Sequence, residues 1–245
     1  MLKECWELIL DHQVYVISAG RYNNLPFSDA QKRQYIFCVK DGEKKLYEDC
    51  GCKDVYETGK LIPSRNFALD HAFKKNQICI QLSDDIKEVK TNPSGESVDL
   101  ESVVEELAEK FKKTTGVYLL GIPPTDNPFF AKAIVSKNTF CIGDLFFSKP
   151  NPLRFDEKLT LKEDYDYTLQ HCKEYGIVLR YQKYLFTFAH YKNQGGVVSY
   201  RNDEEEQKNI RHLKIKWGLA IKDNPKRKNE ILLKISNGTF ESKFN

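Results

Sequence analysis

Apolar and polar positions follow two rhythms along the first half of this 245-residue chain. Residues 14–18, Val-Tyr-Val-Ile-Ser, predict a buried strand that gives way to the loop Ala19-Gly20-Arg21-Tyr22-Asn23-Asn24. Residues 35–39 predict a second strand, closed by Lys40-Asp41-Gly42, and residues 55–57 a weaker third. Ser64 then has the form of an N-cap for a helix over 65–75. Leu69, Ala72 and Phe73 share one face of that helix; Asn66 and Asp70, four apart, share another. Residues 78–82 predict a mostly apolar strand ending in Ser83-Asp84-Asp85. A helical stripe of Leu100, Val103, Val104, Leu107 and Phe111 marks 99–113, and a strand follows at 117–122. Alternation of this kind predicts an α/β fold, a largely parallel sheet with helices on both faces.

The second half is less regular. Residues 133–135 and 139–147 read as strands, Thr160 opens a helix closed at Gly176, and 177–188 reads as one long aromatic strand. Gly195-Gly196 interrupts the chain before a helix over 203–217. Residues 91–97 are the expected mobile loop, and 224–229 are polar and basic. With no internal repeat and no domain-sized linker, the expectation is a single domain over 1–245.

Charge and cysteine usage narrow the classes. Lys and Arg number 38 against 35 Asp and Glu, a net of +3. That bias does not announce a nucleic-acid binder, although a small basic cleft can sit within a balanced total. Seven cysteines in no regular framework predict reduced thiols in a cytosolic compartment. Cys50-Gly51-Cys52 lacks the second pair a zinc site needs. The first residues carry Glu4, Glu7 and Asp11 rather than a leader-like apolar run, and no stretch nears the roughly 20 apolar residues of a membrane span. A soluble, cytoplasmic protein without a membrane partner is expected.

Four constellations carry candidate chemistry. Asp84 and Asp85 stand at the carboxyl end of a buried strand, where ligands bind in open α/β sheets. Adjacent carboxylates repel unless a cation neutralises them. Mg²⁺ or Mn²⁺ held by one or two carboxylates plus substrate phosphates is the usual arrangement with a nucleotide; an ordinary acidic turn is the bland alternative. Arg65, read as lying on the first helical turn, favours an anion. Asn66 and Asp70 would grip a sugar or ribose hydroxyl, or simply belong to a capped surface helix. Glu163 and Asp164 offer a carboxylate for proton transfer. Because Thr160 and Glu163 have capping-box spacing, Asp164 is the favoured base. His190 would complete a metal's coordination and Lys192 would reach a phosphate; a structural histidine is the equal alternative.

Taken in order, residues 16–24 (Val-Ile-Ser-Ala-Gly-Arg-Tyr-Asn-Asn), 64–72 (Ser-Arg-Asn-Phe-Ala-Leu-Asp-His-Ala), 81–85 (Gln-Leu-Ser-Asp-Asp) and 163–167 (Glu-Asp-Tyr-Asp-Tyr) resemble a GT-A-fold glycosyltransferase. The resemblance is to the TET/JBP-associated glycosyltransferases of phages and other DNA viruses, with similar stand-alone enzymes in large algal viruses. It runs from about residue 14 to 217. It implies a Rossmann-like, mostly parallel sheet with a smaller mixed or antiparallel sheet on the acceptor side. The nucleotide-sugar half would cover about 13–125, the acceptor half about 126–220, and a basic tail 221–245. Ser18, Gly20 and Arg21 would line the base pocket, and Arg65 and Asp70 would contact the donor. Asp85, with Asp84, would hold the metal, and Asp164 would be the base. Ser83 stands where the usual DxD motif has its first acid.

The reaction so implied is sugar transfer from a nucleoside diphosphate sugar, a UDP-sugar by expectation, to an acceptor hydroxyl. Stereochemistry is inverting if the base lies opposite the leaving group. The resemblance implies a 5-hydroxymethylpyrimidine in DNA as acceptor, with Lys192, Arg201, Arg211, Lys214, Lys216 and the run 226–228 following phosphates. Rival readings are a glycan acceptor, a sugar nucleotidyltransferase, which the absence of a Gly-rich phosphate loop disfavours, and a catalytically silent binding module.

Overall fold

The computed structural model describes residues 10–132, 134–189 and 201–235. In chain order its elements are β1 (His12–Ser18), α1 (Asp29–Gln34), β2 (Ile36–Val39), α2 (Lys44–Asp49), β3 (Asp54–Glu57) and α3 (Leu61–Lys74). Next come β4 (Ile78–Ser83), β5 (Ile86–Thr91), α4 (Leu100–Lys113), β6 (Leu119–Gly121), β7 (Val135–Lys137) and β8 (Leu145–Ser148). The chain continues through α5 (Glu163–Tyr175), β9 (Leu179–Tyr181), β10 (Tyr184–Phe188), α6 (Asp203–Trp217), β11 (Ile221–Asp223) and β12 (Ile231–Leu233).

Eight strands form one sheet in the order β3-β2-β1-β4-β8-β6-β9-β7. All run the same way except β8 and β7, which are antiparallel to their neighbours. Two small antiparallel sheets, β10 with β5 and β11 with β12, complete a mixed α/β, Rossmann-like fold of the GT-A type.

Period-two alternation sorts the strand residues between two cores. On one face Val14 and Val16, Phe37 and Val39, and Ile78, Ile80 and Leu82 pack with Val103, Val104, Leu107 and Phe111 of α4. On the other, Tyr15, Ile36, Cys38 and Cys79 meet Ile62, Ala68, Leu69 and Ala72 of α3 and Tyr167 and Cys172 of α5. Helices therefore cover both faces, as the runs of buried strand residues require. Among the described residues, no helix is long and apolar enough to cross a membrane.

Several local expectations are corrected. Ser64 lies inside α3, where its hydroxyl donates back to the Lys60 carbonyl; Lys60 is the N-cap. Pro63 is tolerated because the first-turn N–H it lacks has no helical partner. The run 139–147 turns at Gly143-Asp144 before β8 begins. Residues 177–188 divide into β9 and β10, which join different sheets. The expected loop at 91–97 is a turn over 92–96, entered from β5 at Thr91 and closed by the bridge of Lys90 to Ser97. The expected basic tail contains the β11–β12 hairpin, with Ile221 and Ile231 buried against Ile210 and Leu213 of α6.

Candidate active site

The carboxyl ends of β1 and β4 lie side by side, with Ile17 opposite Ser83. That parallel pairing brings the loop after Ser18 to the Asp84-Asp85 turn. Asp84 is buried and receives hydrogen bonds from the Ser18 hydroxyl and from Arg21 Nη1. Tyr47 of α2 braces the same corner: its hydroxyl shares a 2.5 Å hydrogen bond with Ser18 and accepts the Arg21 N–H at 3.3 Å. Glu43 accepts the Gly20 N–H at 2.8 Å; Gly20 has φ +71, a conformation glycine adopts without strain. Ser18, Gly20, Arg21, Asp84 and Asp85 are thus brought together. Sequence reasoning missed Tyr47 and Glu43, because neither stands near a motif and the topology alone delivers them.

The cation that neutralises this acid pair within the protein is Arg21, 3.8 Å from Asp85 Oδ2. Burial raises the Asp84 carboxyl to about 6, against the pull of Arg21 and Ser18. Each Asp84 oxygen accepts one hydrogen bond within the protein, so Asp84 is held by Ser18 and Arg21 whether or not an ion is bound. Asp85 accepts the Ser83 hydroxyl on Oδ1 at 2.7 Å and keeps Oδ2 beyond hydrogen-bond distance of Arg21. Among the described residues no three His, Cys, Asp or Glu side chains gather as a ligand group for an ion. This donor set fits Mg²⁺ or Mn²⁺ carried mainly by phosphate oxygens and water, with Asp85 as the protein ligand. The described residues form no cage of protein groups for a resident ion. Arg21 Nε is buried with no hydrogen-bond partner among the described residues, a donor that a ligand oxygen would satisfy. His190 and Lys192 lie outside the described residues.

Asp164 reaches the same edge through a two-residue turn. The Ser83 N–H donates to the Asp144 carbonyl at 2.7 Å, and the adjacent Gly143 N–H donates to Asp164 Oδ2 at 3.0 Å. Asp164 Oδ1 accepts the Tyr165 N–H at 3.0 Å. Burial, reinforced by the neighbouring Glu163 charge, raises the Asp164 carboxyl well above the ordinary carboxylate range. A carboxylate so raised suits a general base at neutral pH. Gly143 and Asp144 were absorbed into a long expected strand; the Gly-Asp dipeptide was the overlooked turn signal.

Arg65 is not placed as expected. Its side chain is 8 % exposed and Glu163 is 7 % exposed. Nε donates to Glu163 Oε1 at 3.0 Å, Nη1 to Gln81 Oε1 at 3.1 Å and Nη2 to the Gly143 carbonyl at 3.0 Å. The guanidinium carbon lies 5.6 and 5.4 Å from the Phe146 and Phe155 ring centres. Each nitrogen of the group donates within the protein, so Arg65 ties α3, β4, the 143–144 turn and α5 together. Gln81, fully buried in an apolar strand, returns a bond to the Arg65 carbonyl at 2.9 Å.

Glu163 is accordingly no capping partner of Thr160, whose hydroxyl donates to Glu205 of α6. α5 starts after Lys162, which has φ 60 and pairs with Glu206 at 2.8 Å, both largely buried. The two anchors hold the first turn of α5 and so the position of Asp164. Asn66 and Asp70 are also corrected. Asn66 exchanges two hydrogen bonds with the Phe155 backbone, and Asp70 pairs with Arg154 at 2.7 Å. Both fasten residues 154–155 to α3.

Two cavities bear on where a ligand would sit. One of about 210 Å³ is lined by Pro123, Pro124, Asp126, Ile142, Asp144 and Phe186 among others, beside the Asp85 turn. Another of about 460 Å³ lies between the start of α3 and residues 157–160; none of Asp84, Asp85 and Asp164 lines it. Those three acids do not line the smaller cavity either, but its walls adjoin them: the Asp144 carbonyl holds the Ser83 N–H, and Phe188 pairs with Ile86. No family model matches this chain, and no curated protein matches it.

Proposed function

We propose that this protein is a glycosyltransferase that moves a sugar from a nucleoside diphosphate sugar, a UDP-sugar by preference, to an acceptor hydroxyl. The observation that carries the reading is the Gly143-Asp144 turn. It is hydrogen-bonded to Ser83 on one side and to Asp164 on the other, so a near-neutral carboxylate and the Asp84-Asp85-Arg21 cluster share one sheet edge. The nucleoside would sit against Gly20 and Arg21, where Arg21 Nε awaits an acceptor. Mg²⁺ or Mn²⁺ at Asp85 would supply charge stabilisation to the departing diphosphate.

The acceptor oxygen attacks the anomeric carbon as the bond from that carbon to the diphosphate oxygen breaks. The electron pair leaves with the diphosphate, and the hydroxyl proton passes to Asp164. Arg65, Glu163 and Lys162 act indirectly by fixing the turn and the helix that carry Asp164. A silent binding module would have no need of Asp84, Asp85 and Asp164 gathered at one edge.

The test is Asp164→Asn with UDP-sugars and Mn²⁺. Turnover, read by mass as transfer or as hydrolysis without acceptor, should fall by roughly a hundredfold or more, the scale of losing a general base, while calorimetric donor binding is kept. Undiminished turnover would remove Asp164 from the chemistry. A hydroxymethylated DNA base is less well supported as acceptor, because five of the cations expected to follow phosphates have acidic partners; Arg211 and Lys226 are not among the five, and Lys192 lies outside the described residues. Arg201 pairs with Glu206, Lys214 with Asp223, Lys216 with Asp156 and Asp166, Arg227 with Glu230, and Lys228 with Asp203.

A further inference from the structure

We infer that the acceptor is a carbohydrate, received in the cavity beside Asp85 and on an exposed aromatic step formed by Phe129 and Phe130. This rests on the glycosyl-transfer reading and adds the substrate class and the residues that recognise it. Phe129 and Phe130 are 65 % and 67 % exposed, although large aromatic rings are ordinarily covered. Their exposure is built rather than accidental. The Phe129 N–H donates to Asn127 Oδ1 at 2.9 Å, the Asn127 N–H to Thr125 Oγ1 at 3.1 Å, and Asn92 Nδ2 holds the Ala131 carbonyl at 2.6 Å. The two rings meet edge to face at 5.1 Å, and Lys132 Nζ lies 4.5 Å from the Phe129 ring centre.

The step follows the cavity wall directly along the chain: residues 123–126 line the cavity and 128–130 form the step. Asp126 is fixed there by the Thr187 hydroxyl at 3.0 Å. The cavity, at about 210 Å³, is below the roughly 300 Å³ of ordinary ligand pockets, so it takes one ring and leaves the remainder of a chain outside. Its walls combine apolar rings, Phe186 and Phe188, with the acids Asp126 and Asp144. A sugar presents the matching chemistry: a C–H face that packs on aromatic rings and neutral hydroxyls that donate to carboxylates. A nucleic acid presents phosphates, which adjacent carboxylates repel and which need unpaired cations.

The test is binding of the full chain to a glycan array spanning hexose, N-acetylhexosamine, deoxyhexose and pentose oligosaccharides. Duplex and single-stranded oligonucleotides bearing 5-hydroxymethylcytosine form the second arm. Wild type is compared with Phe129→Ala/Phe130→Ala, with melting temperature and acceptor-free UDP-sugar hydrolysis measured on both. The expected result is oligosaccharide binding that weakens at least tenfold in the double variant, with melting temperature and hydrolysis unchanged. No oligosaccharide binding, equal binding by both proteins, or oligonucleotide binding lost in the variant would overturn the inference. Failure of wild type to hydrolyse or bind any UDP-sugar would instead overturn the donor reading, leaving the array result to decide the aromatic step by itself.

Discussion

Replacing Arg65 separates its two readings. If it holds the donor's diphosphate, Arg65→Ala leaves stability alone and weakens donor binding. The structure implies the reverse. Removal strands Glu163, 7 % exposed, without its cation. Breaking a buried pair from one side costs about 3–5 kcal/mol. Gln81 Oε1 and the Gly143 carbonyl lose partners in addition. For a domain of this size about 2–4 °C accompanies each kcal/mol, so the melting temperature should fall by about 6–20 °C. Arg65→Lys keeps a charge near Glu163 but cannot span all three acceptors, and should cost about 1–3 kcal/mol from the bonds lost. The assay is urea unfolding of wild type and both variants, with calorimetric UDP binding under conditions where each is folded. Unchanged unfolding midpoints together with lost UDP binding would refute the structural role.

Three further outcomes follow. Asp85→Asn should abolish Mn²⁺-dependent UDP binding in calorimetry while the melting temperature holds within a few degrees; unchanged affinity would remove Asp85 from the metal. Asp84 should titrate near pH 6 in a carboxyl-carbon NMR titration, since burial raises it from 3.8 to about 6. The folded protein then takes up a proton across that interval that the unfolded chain does not. The Asp84 contribution therefore favours folding at acid pH and is lost as pH rises through 6; a midpoint near 4 would contradict it. Gly143→Ala places a Cβ 2.5 Å from Arg65 Nη2 and 3.4 Å from the Asp164 Cβ. It should lower turnover more than donor binding, and full turnover with a native melting temperature would show that the turn does not position Asp164.

Local chemistry along the chain was enough to determine the α/β class, the strands near residues 14–18, 35–39 and 78–82, the helix near 99–113, and the acid pair at a strand's end. Each depends on a period of two or 3.6 or on a turn dipeptide, signals carried by neighbours in sequence. Antiparallel β8, inserted between β4 and β6, was not legible, because strand order depends on long-range pairing. Nor were the partners of the charged residues. Arg65 and Glu163 stand 98 positions apart and meet through the packing of α3 on α5. A buried guanidinium and a phosphate-binding one look alike in sequence; only the surroundings decide how many donors remain for a ligand. Asp84 likewise reads as an acid without a cation until the parallel register of β1 and β4 lays Arg21 against it. Residue type determined which groups can carry charge, and tertiary structure decided which of those charges are already answered inside the protein.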